Sequence, residues 1–293
     1  MILRDKPGLM QLLFALRGSV LPRILPRILG LSALSALVLW IDADITRLPH
    51  TNAAPFAVFG IALSLFLGFR NNAAYDRWWE GRKLWGQLVA DLRCLSREVD
   101  LFVADPQNRR RILRLALAFL HLHRINLRKE RDTSAATRWA GDDFTTAPHP
   151  PCAALDAVAA TLATAADDGF ARKALAERTA SMALAQAGCE RIATTPLPYV
   201  YSLLVFRTTY LYCLLLPFAL IDSAGWLTPI FVGIVAYVFF GLAEVTEELS
   251  HPFGETVNGL PLDAICRTVE RSLAPKLGEE VPPPLQPIDY YLS

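Results

Sequence analysis

The side chains able to act as nucleophiles, proton carriers or metal ligands are few and scattered in this 293-residue chain. Cys94, Cys152, Cys189, Cys213 and Cys266 form no C-x-x-C pair, so zinc and thioredoxin-like chemistry lack their usual spacing. An odd, dispersed set reads as free thiols in a reducing compartment. His121 and His123 lie two apart, which on a helix points them to different sides; an i,i+4 pair would have converged on a metal. With Glu247 they define the one enzyme-like alternative, a membrane metal or haem protein. Glu244, Glu247 and Glu248 follow an apolar run, as a proton relay or, more simply, as its exit into water. No nucleophile–base set is left. The expectation is a protein that is not an enzyme, with no catalytic residue, no metal and no cofactor.

Other charged and aromatic groups ask for a structural partner. Arg207 interrupts an apolar run, where a central arginine costs about 2.5–3.5 kcal/mol on insertion scales. It either lines a conduit, holds an ion pair, or snorkels from near a helix end. Asp76 and Glu80 either enrich cations in a vestibule or pair with Arg77, Arg82 or Lys83. Trp78, Trp79 and Trp85 read as a packed junction.

The elements that position these groups are set by hydropathy. Mean hydropathy is +0.30, and 53% of residues are hydrophobic, above the 45–50% or so of soluble domains. Four runs approach the about 17–25 apolar residues of a membrane helix: 28–41, 53–69, 196–221 and 224–243. Short gaps at 42–52 and 222–223 make two hairpins. Residues 1–27 carry five Lys/Arg against one Asp, and 70–131 carry 14 against 7 acids. The positive-inside rule therefore puts both termini and 70–195 in the cytoplasm, as in a multi-pass plasma (bacterial inner) membrane protein. A net charge of +1 speaks against nucleic acid as a partner.

The remainder is helical. Leu84, Leu88, Leu92, Leu95, Val99 and Phe102 recur every three or four residues, as do Ile112, Leu115, Phe119 and Leu122. Residues 132–150 read as a loop, and 151–190 as an Ala-rich helix broken at Asp167-Asp168-Gly169. The 281–288 stretch (VPPPLQPI) is extended. Residues 244–293, with 9 acids against 3 bases, are expected to dock on the basic 70–131 region, in their own or a neighbouring subunit. The boundaries fall at 1–80, 81–195, 196–245 and 246–293. No internal repeat is present, and internal repeats would have favoured a secondary transporter.

The second apolar run carries two stripes. Gly60, Ser64 and Gly68 form a small-residue face suited to close helix packing. Ile61, Leu65 and Phe69 form a bulky stripe rotated by about 100°. In a ring of identical helices the bulky stripe would point to the axis and make a hydrophobic constriction.

The run continues as GFRNNAAYDRWWEGRKLWG over 68–86. With CERIATTPLPY (189–199) and EELSHPFGETVNGLPL (247–262), it resembles the bestrophin family of ion channels, especially the bacterial homologues. The resemblance runs from the first apolar segment to about residue 270. It implies an all-α membrane protein with four transmembrane helices per subunit and a cytosolic helical region. It further implies a homopentamer around one axial pore in the lipid bilayer, with its neck at Ile61, Leu65 and Phe69 and small inorganic ions passing passively. Because only Phe69 is aromatic, the expected preference is for monovalent cations, with a chloride (anion) channel of the same architecture as the alternative. The motif His251-Pro252-Phe253-Gly254 is followed by Glu255 alone, too few carboxylates for a Ca²⁺ site of six to eight oxygens.

Overall fold

The computed structural model describes residues 1–3, 8–13, 15, 18–141 and 143–293. Of the basic residues counted at the N-terminus, Arg4, Lys6 and Arg17 lie outside the described residues. Secondary structure among those described is helical, apart from isolated bridges joining Tyr291 to Ile2 and Ile288. The helices are α1 (Leu9–Leu13), α2 (Leu21–Asp44), α3 (Ala53–Phe102), α4 (Pro106–Arg128), α5 (Ser134–Ala140), α6 (Pro150–Ala165), α7 (Gly169–Thr194), α8 (Tyr199–Ala224), α9 (Thr228–Ser250) and α10 (Leu262–Leu277). A single 3₁₀ turn, Gly225–Leu227, joins α8 to α9. Two compact units divide the chain: Asp5–Arg77 with Pro196–Ser250, and Met1–Arg4 with Trp78–Thr195 and His251–Ser293.

In the first unit, α2 packs on α8 and α9, and α8 packs on α9. Three stretches are long and apolar enough to cross a membrane: Leu21–Asp44, Ala53–Phe102 and Tyr199–Ser250. The first begins seven residues before the apolar run at 28–41, because Pro22 sits at the start of α2, where its missing N–H is harmless. Ile24, Leu31, Leu63, Leu67, Val205, Leu216, Val232 and Phe240 form the core between these helices. Gly233 lets α9 approach α2 closely: a Cβ there would lie 2.8 Å from the Ser32 hydroxyl.

The 50-residue α3 joins two stretches that hydropathy treats as separate helices at 53–72 and 83–103. No proline or turn sequence lies between them, so charge changes along the helix without breaking it. In the second unit its buried side chains Trp85, Leu88, Leu92, Leu95 and Val99 repeat at three and four residues and pack in the core with α4. Each such side chain contributes about 1.5–3 kcal/mol of burial. From Leu115 to His123 α4 is buried on every side, as befits a central helix. It is covered by α5, α6, α7 and α10. Asp105 caps α4 by accepting from the backbone N–H groups of Gln107 and Asn108. Asp168 caps α7 through Ala171 at 2.8 Å, which is the break expected at 167–169.

The stretch 132–150 differs from the expected loop by containing α5. Asp132 accepts from the Ser134 backbone N–H, Trp139 is buried, and Gly141 ends the helix with φ +69°. The acidic C-terminal segment does dock on basic side chains of its own subunit. Asp263 meets Arg128 at 2.7 Å and also Arg124, and Arg114 meets Glu279, while Lys276 meets Asp100 with the signs reversed. Burial alone would raise the Asp263 carboxyl, but Arg128 and Arg124 outweigh it and hold it below its ordinary value.

The tightest polar node of this unit is Asp91, which is 0% exposed. It accepts from Arg178 at 2.7 Å, from Ser181 at 2.8 Å and from Gln87 at 3.1 Å, while Arg178 also forks onto Glu98. Arg178→Ala leaves Asp91 buried without its cation and is expected to cost about 3–5 kcal/mol. Thermal or chaotrope unfolding of the purified protein reads this loss. Asp91→Asn added to Arg178→Ala is expected to return part of it.

Candidate functional site

Within α3 the side chains separate into a packed and an unpacked face. Leu63 and Leu67 are buried in the core with α2, α8 and α9. Ile61, Leu65 and Phe69 sit about 200° around the helix from them. They are 71%, 57% and 62% exposed. The levels are four residues apart, so the stripe runs about 12 Å along the axis in two steps of about 6 Å. A repeated bulky apolar stripe held open on one helix is a surface awaiting an apolar or dewetted environment.

The small residues do not behave as one face. Gly60 is used inside the chain: a Cβ there would lie 2.7 Å from the Tyr212 hydroxyl and 3.3 Å from its ring. Tyr212 in turn packs on Phe59 and Phe239, with ring centroids 5.6 Å apart in each case. Ser64 is exposed and returns its hydroxyl to the Gly60 carbonyl at 2.8 Å, while a Cβ at Gly68 would meet nothing within 4 Å. Gly60 therefore sets the packing of α3 on α8, and only the Ser64–Gly68 part of the stripe is open.

A charged rim follows the stripe within the same unit. Arg70, largely buried, donates to the Ser202 hydroxyl at 2.7 Å and pairs with Glu247 at 3.1 Å. Arg23 of α2 meets Glu248 at 2.5 Å and Glu244 at 3.3 Å. The Arg77 guanidinium donates to the Ser250 carbonyl at 3.3 Å. The three glutamates that close α9 are thus bound to arginines of α2 and α3, which ties the helix ends together where they leave the apolar layer.

Other sequence-derived candidates are dispersed. Arg207 is exposed on α8, with no ion pair among the described residues. Asp76 is exposed, whereas Glu80 pairs with Arg191 of α7 at 2.5 Å and not with Arg77, Arg82 or Lys83. The histidines do not form a pair. His121 bonds Glu270 at 2.8 Å, and His123 is wholly buried between the Trp85 and Phe119 rings. Burial pushes the His123 imidazole down to about 3, so it stays neutral. The segment after α9 is a packing loop. Leu260 donates to the Pro252 carbonyl at 2.7 Å, Phe253 is buried 3.1 Å from where a Gly81 Cβ would stand, and Trp78 donates to the Asn258 carbonyl at 2.9 Å. Glu255 faces Arg128 at 3.8 Å, so the nearest charged group to this lone carboxylate is already a cation.

Sequence reasoning missed a second polar cluster, at the end of the bundle opposite the arginine rim. His50 Nε2 lies 2.9 Å from Asp42 of α2, and its Nδ1 lies 2.7 Å from Asp222 of α8. Asp42 also accepts from the Leu48 backbone N–H. The signal was present only as a lone histidine and two acids at apolar-run ends, with Asp222 172 positions from the histidine.

Comparison with known proteins places the chain. Residues 1–275 match the family described as Bacterial/Fungal Bestrophin protein. The chain is 45% identical to the voltage-dependent anion channel-forming protein mll4386 of Mesorhizobium japonicum, covering 100% of this chain and 97% of that protein. It is 36% identical to the voltage-dependent anion channel-forming protein YneE of Escherichia coli K12, over 99% of each. A crystal structure of a bacterial bestrophin homolog from Klebsiella pneumoniae aligns with a TM-score of 0.79 at 31% identity, covering 89% of this chain and all of that one. With three stretches long and apolar enough to cross a membrane, this is a multi-pass membrane protein. The names of the relatives speak for the anion alternative and not for the monovalent-cation preference expected above. The physical reason is that aliphatic side chains shed water around either sign of ion, so Ile61 and Leu65 carry no information about charge.

Gly60→Ala forces the Tyr212 ring to move and is expected to destabilise the protein by about 1–3 kcal/mol. Melting in detergent checks it. Gly68→Ala, with open space around it, is expected to leave the subunit's own melting unchanged.

Proposed function

Since this chain belongs to the bestrophin family, we propose that it is the pore-forming subunit of an ion channel that passes small monovalent anions such as chloride. Each subunit would cross the membrane four times, a count that helix length supports. Tyr199–Ser250 spans 52 residues. End to end that is about 78 Å, more than twice the bilayer core of about 30 Å, so α8 and α9 cross separately. Five copies arranged around an axis would turn Ile61, Leu65 and Phe69 inward as three stacked rings. The observation that carries the reading is this exposed apolar stripe on a helix whose opposite face is committed to its own bundle.

Each ring would be a hydrophobic constriction that conducts when wet and closes when it dries. Phe69 is the one level with chemistry that favours a sign, because aromatic ring edges are electropositive. Anion preference for this chain rests on that ring and on the names borne by the relatives. Conduction would be passive, with the neck doing no bond chemistry, and both termini would face the cytoplasm.

Purified protein fused into a planar bilayer under an asymmetric KCl gradient tests the reading. Unitary currents are expected to reverse near the chloride equilibrium potential. Reversal near the potassium potential would keep the channel and overturn the anion assignment, and silence in both wild type and an Ile61→Ala/Leu65→Ala/Phe69→Ala triple variant would overturn the channel itself. The triple variant is expected to raise unitary current several-fold. Leu65→Phe, which adds a second aromatic ring level, is expected to move the reversal potential further toward chloride. Native mass spectrometry is expected to read five subunits.

A further inference from the structure

We propose that His50, held between Asp42 and Asp222, is a proton-operated latch that fixes the outer end of the pore-lining helix α3. This deepens the channel reading and, for its effect on current, rests on it.

The geometry requires a particular protonation state. A neutral imidazole has one N–H and one lone pair, while both of its neighbours here are carboxylate oxygens that accept. Nε2 lies 2.9 Å from Asp42 Oδ1 and Nδ1 lies 2.7 Å from Asp222 Oδ1. Only the imidazolium can donate to both. Removal of its proton leaves a ring lone pair against one carboxylate, and that contact must open.

Which contact opens is set by exposure. Asp42 is buried, with 7% of its side chain accessible, and it also holds the Leu48 backbone N–H at 2.8 Å. Asp222 has 72% of its side chain accessible and is able to rehydrate. The neutral ring therefore keeps Asp42 and releases Asp222, freeing the end of α8 from the link.

The link leads directly into α3. Thr51 donates its backbone N–H to the Phe218 carbonyl of α8 at 3.1 Å, and Asn52 accepts from the Ala54 backbone N–H at 2.9 Å. Ala53 is the first residue of α3, and Ile61 stands about two turns further on. Release at Asp222 thus loosens the anchor of the helix that carries the neck.

The charged groups facing the ring are Asp42 from α2 and Asp222 from α8. Arg47, exposed on the link, acts on Asp42, and Asp44 at the end of α2 is exposed. The Asp42 hydrogen bond, opposed by burial and reinforced by Asp222, raises the His50 imidazole above its ordinary value of about 6.5. A raised folded value means that the latch is closed below about pH 6.5 and is lost as pH rises through the folded value.

Two measurements test the latch. Histidine side-chain NMR of the full-length protein in nanodiscs, with His50→Gln used to assign the signal, is expected to show His50 titrating above about 6.5. Asp222→Asn is expected to shift that midpoint down. A midpoint at or below the ordinary value, or one that Asp222→Asn does not move, would overturn the latch. In planar bilayers, changing the pH on the side of the 45–52 link between about 5.5 and about 8.5 is expected to change open probability several-fold in wild type. The change is expected to be absent in His50→Gln. An undiminished pH response in His50→Gln would overturn the control of current. Absence of current at every pH would overturn the channel reading alone, because the NMR midpoint reads the latch without any current.

Discussion

Along α3, Leu63 and Leu67 are committed to the bundle formed with α2, α8 and α9, while Ile61, Leu65 and Phe69 lie on the opposite face and remain open. A single helix cannot satisfy both faces by folding alone: one is covered by its own chain, and the other needs lipid, a second subunit or a dewetted axis. The rest of the architecture serves to hold that helix in one rotational setting. Gly60 lets the Tyr212 ring come within contact of the α3 backbone, and Arg70 is tied to Ser202 and Glu247. A rotation of α3 by two residue positions, about 200°, would bury the stripe and expose the core face.

The bundle is closed at each end by charge. At one end, arginines of α2 and α3 hold the glutamates that terminate α9; at the other, His50 bridges the acids that end α2 and α8. Between them the core is mostly apolar, with Gly233 and Gly60 at close approaches between helices. This division follows from the bilayer: charges are tolerable at helix ends and costly between them. The two ends differ in chemistry. A guanidinium keeps its charge over the accessible pH range, whereas a histidine between two acids changes with it.

Much of this was legible in the sequence. The apolar runs, the four-residue spacing of Ile61, Leu65 and Phe69, the helix break at Asp168 and the acidic C-terminal segment all rely on local patterns, and local patterns survive folding. What escaped relied on distance or on continuity. The join within α3 was hidden because a shift from apolar to charged composition resembles a boundary, although no proline interrupts it. Glu80 was expected to pair with a neighbour in sequence, but it meets Arg191, 111 positions away. The role of Gly60 was read as one part of a uniform small face, and it depends instead on the single ring of Tyr212. Charge preference was illegible for a different reason: two of the three levels of the stripe are aliphatic and do not distinguish one ionic sign from the other.

The central claim is that the open face of α3 looks onto the conduction path. Cysteines placed singly at 61, 65, 69, 63 and 67, in a protein whose exposed Cys152 has been replaced, would be treated with a charged methanethiosulfonate reagent while current is recorded. The account predicts that positions 61, 65 and 69 react and block current, whereas 63 and 67 stay inert. Block from 63 and 67 with silence at 61, 65 and 69 would contradict it.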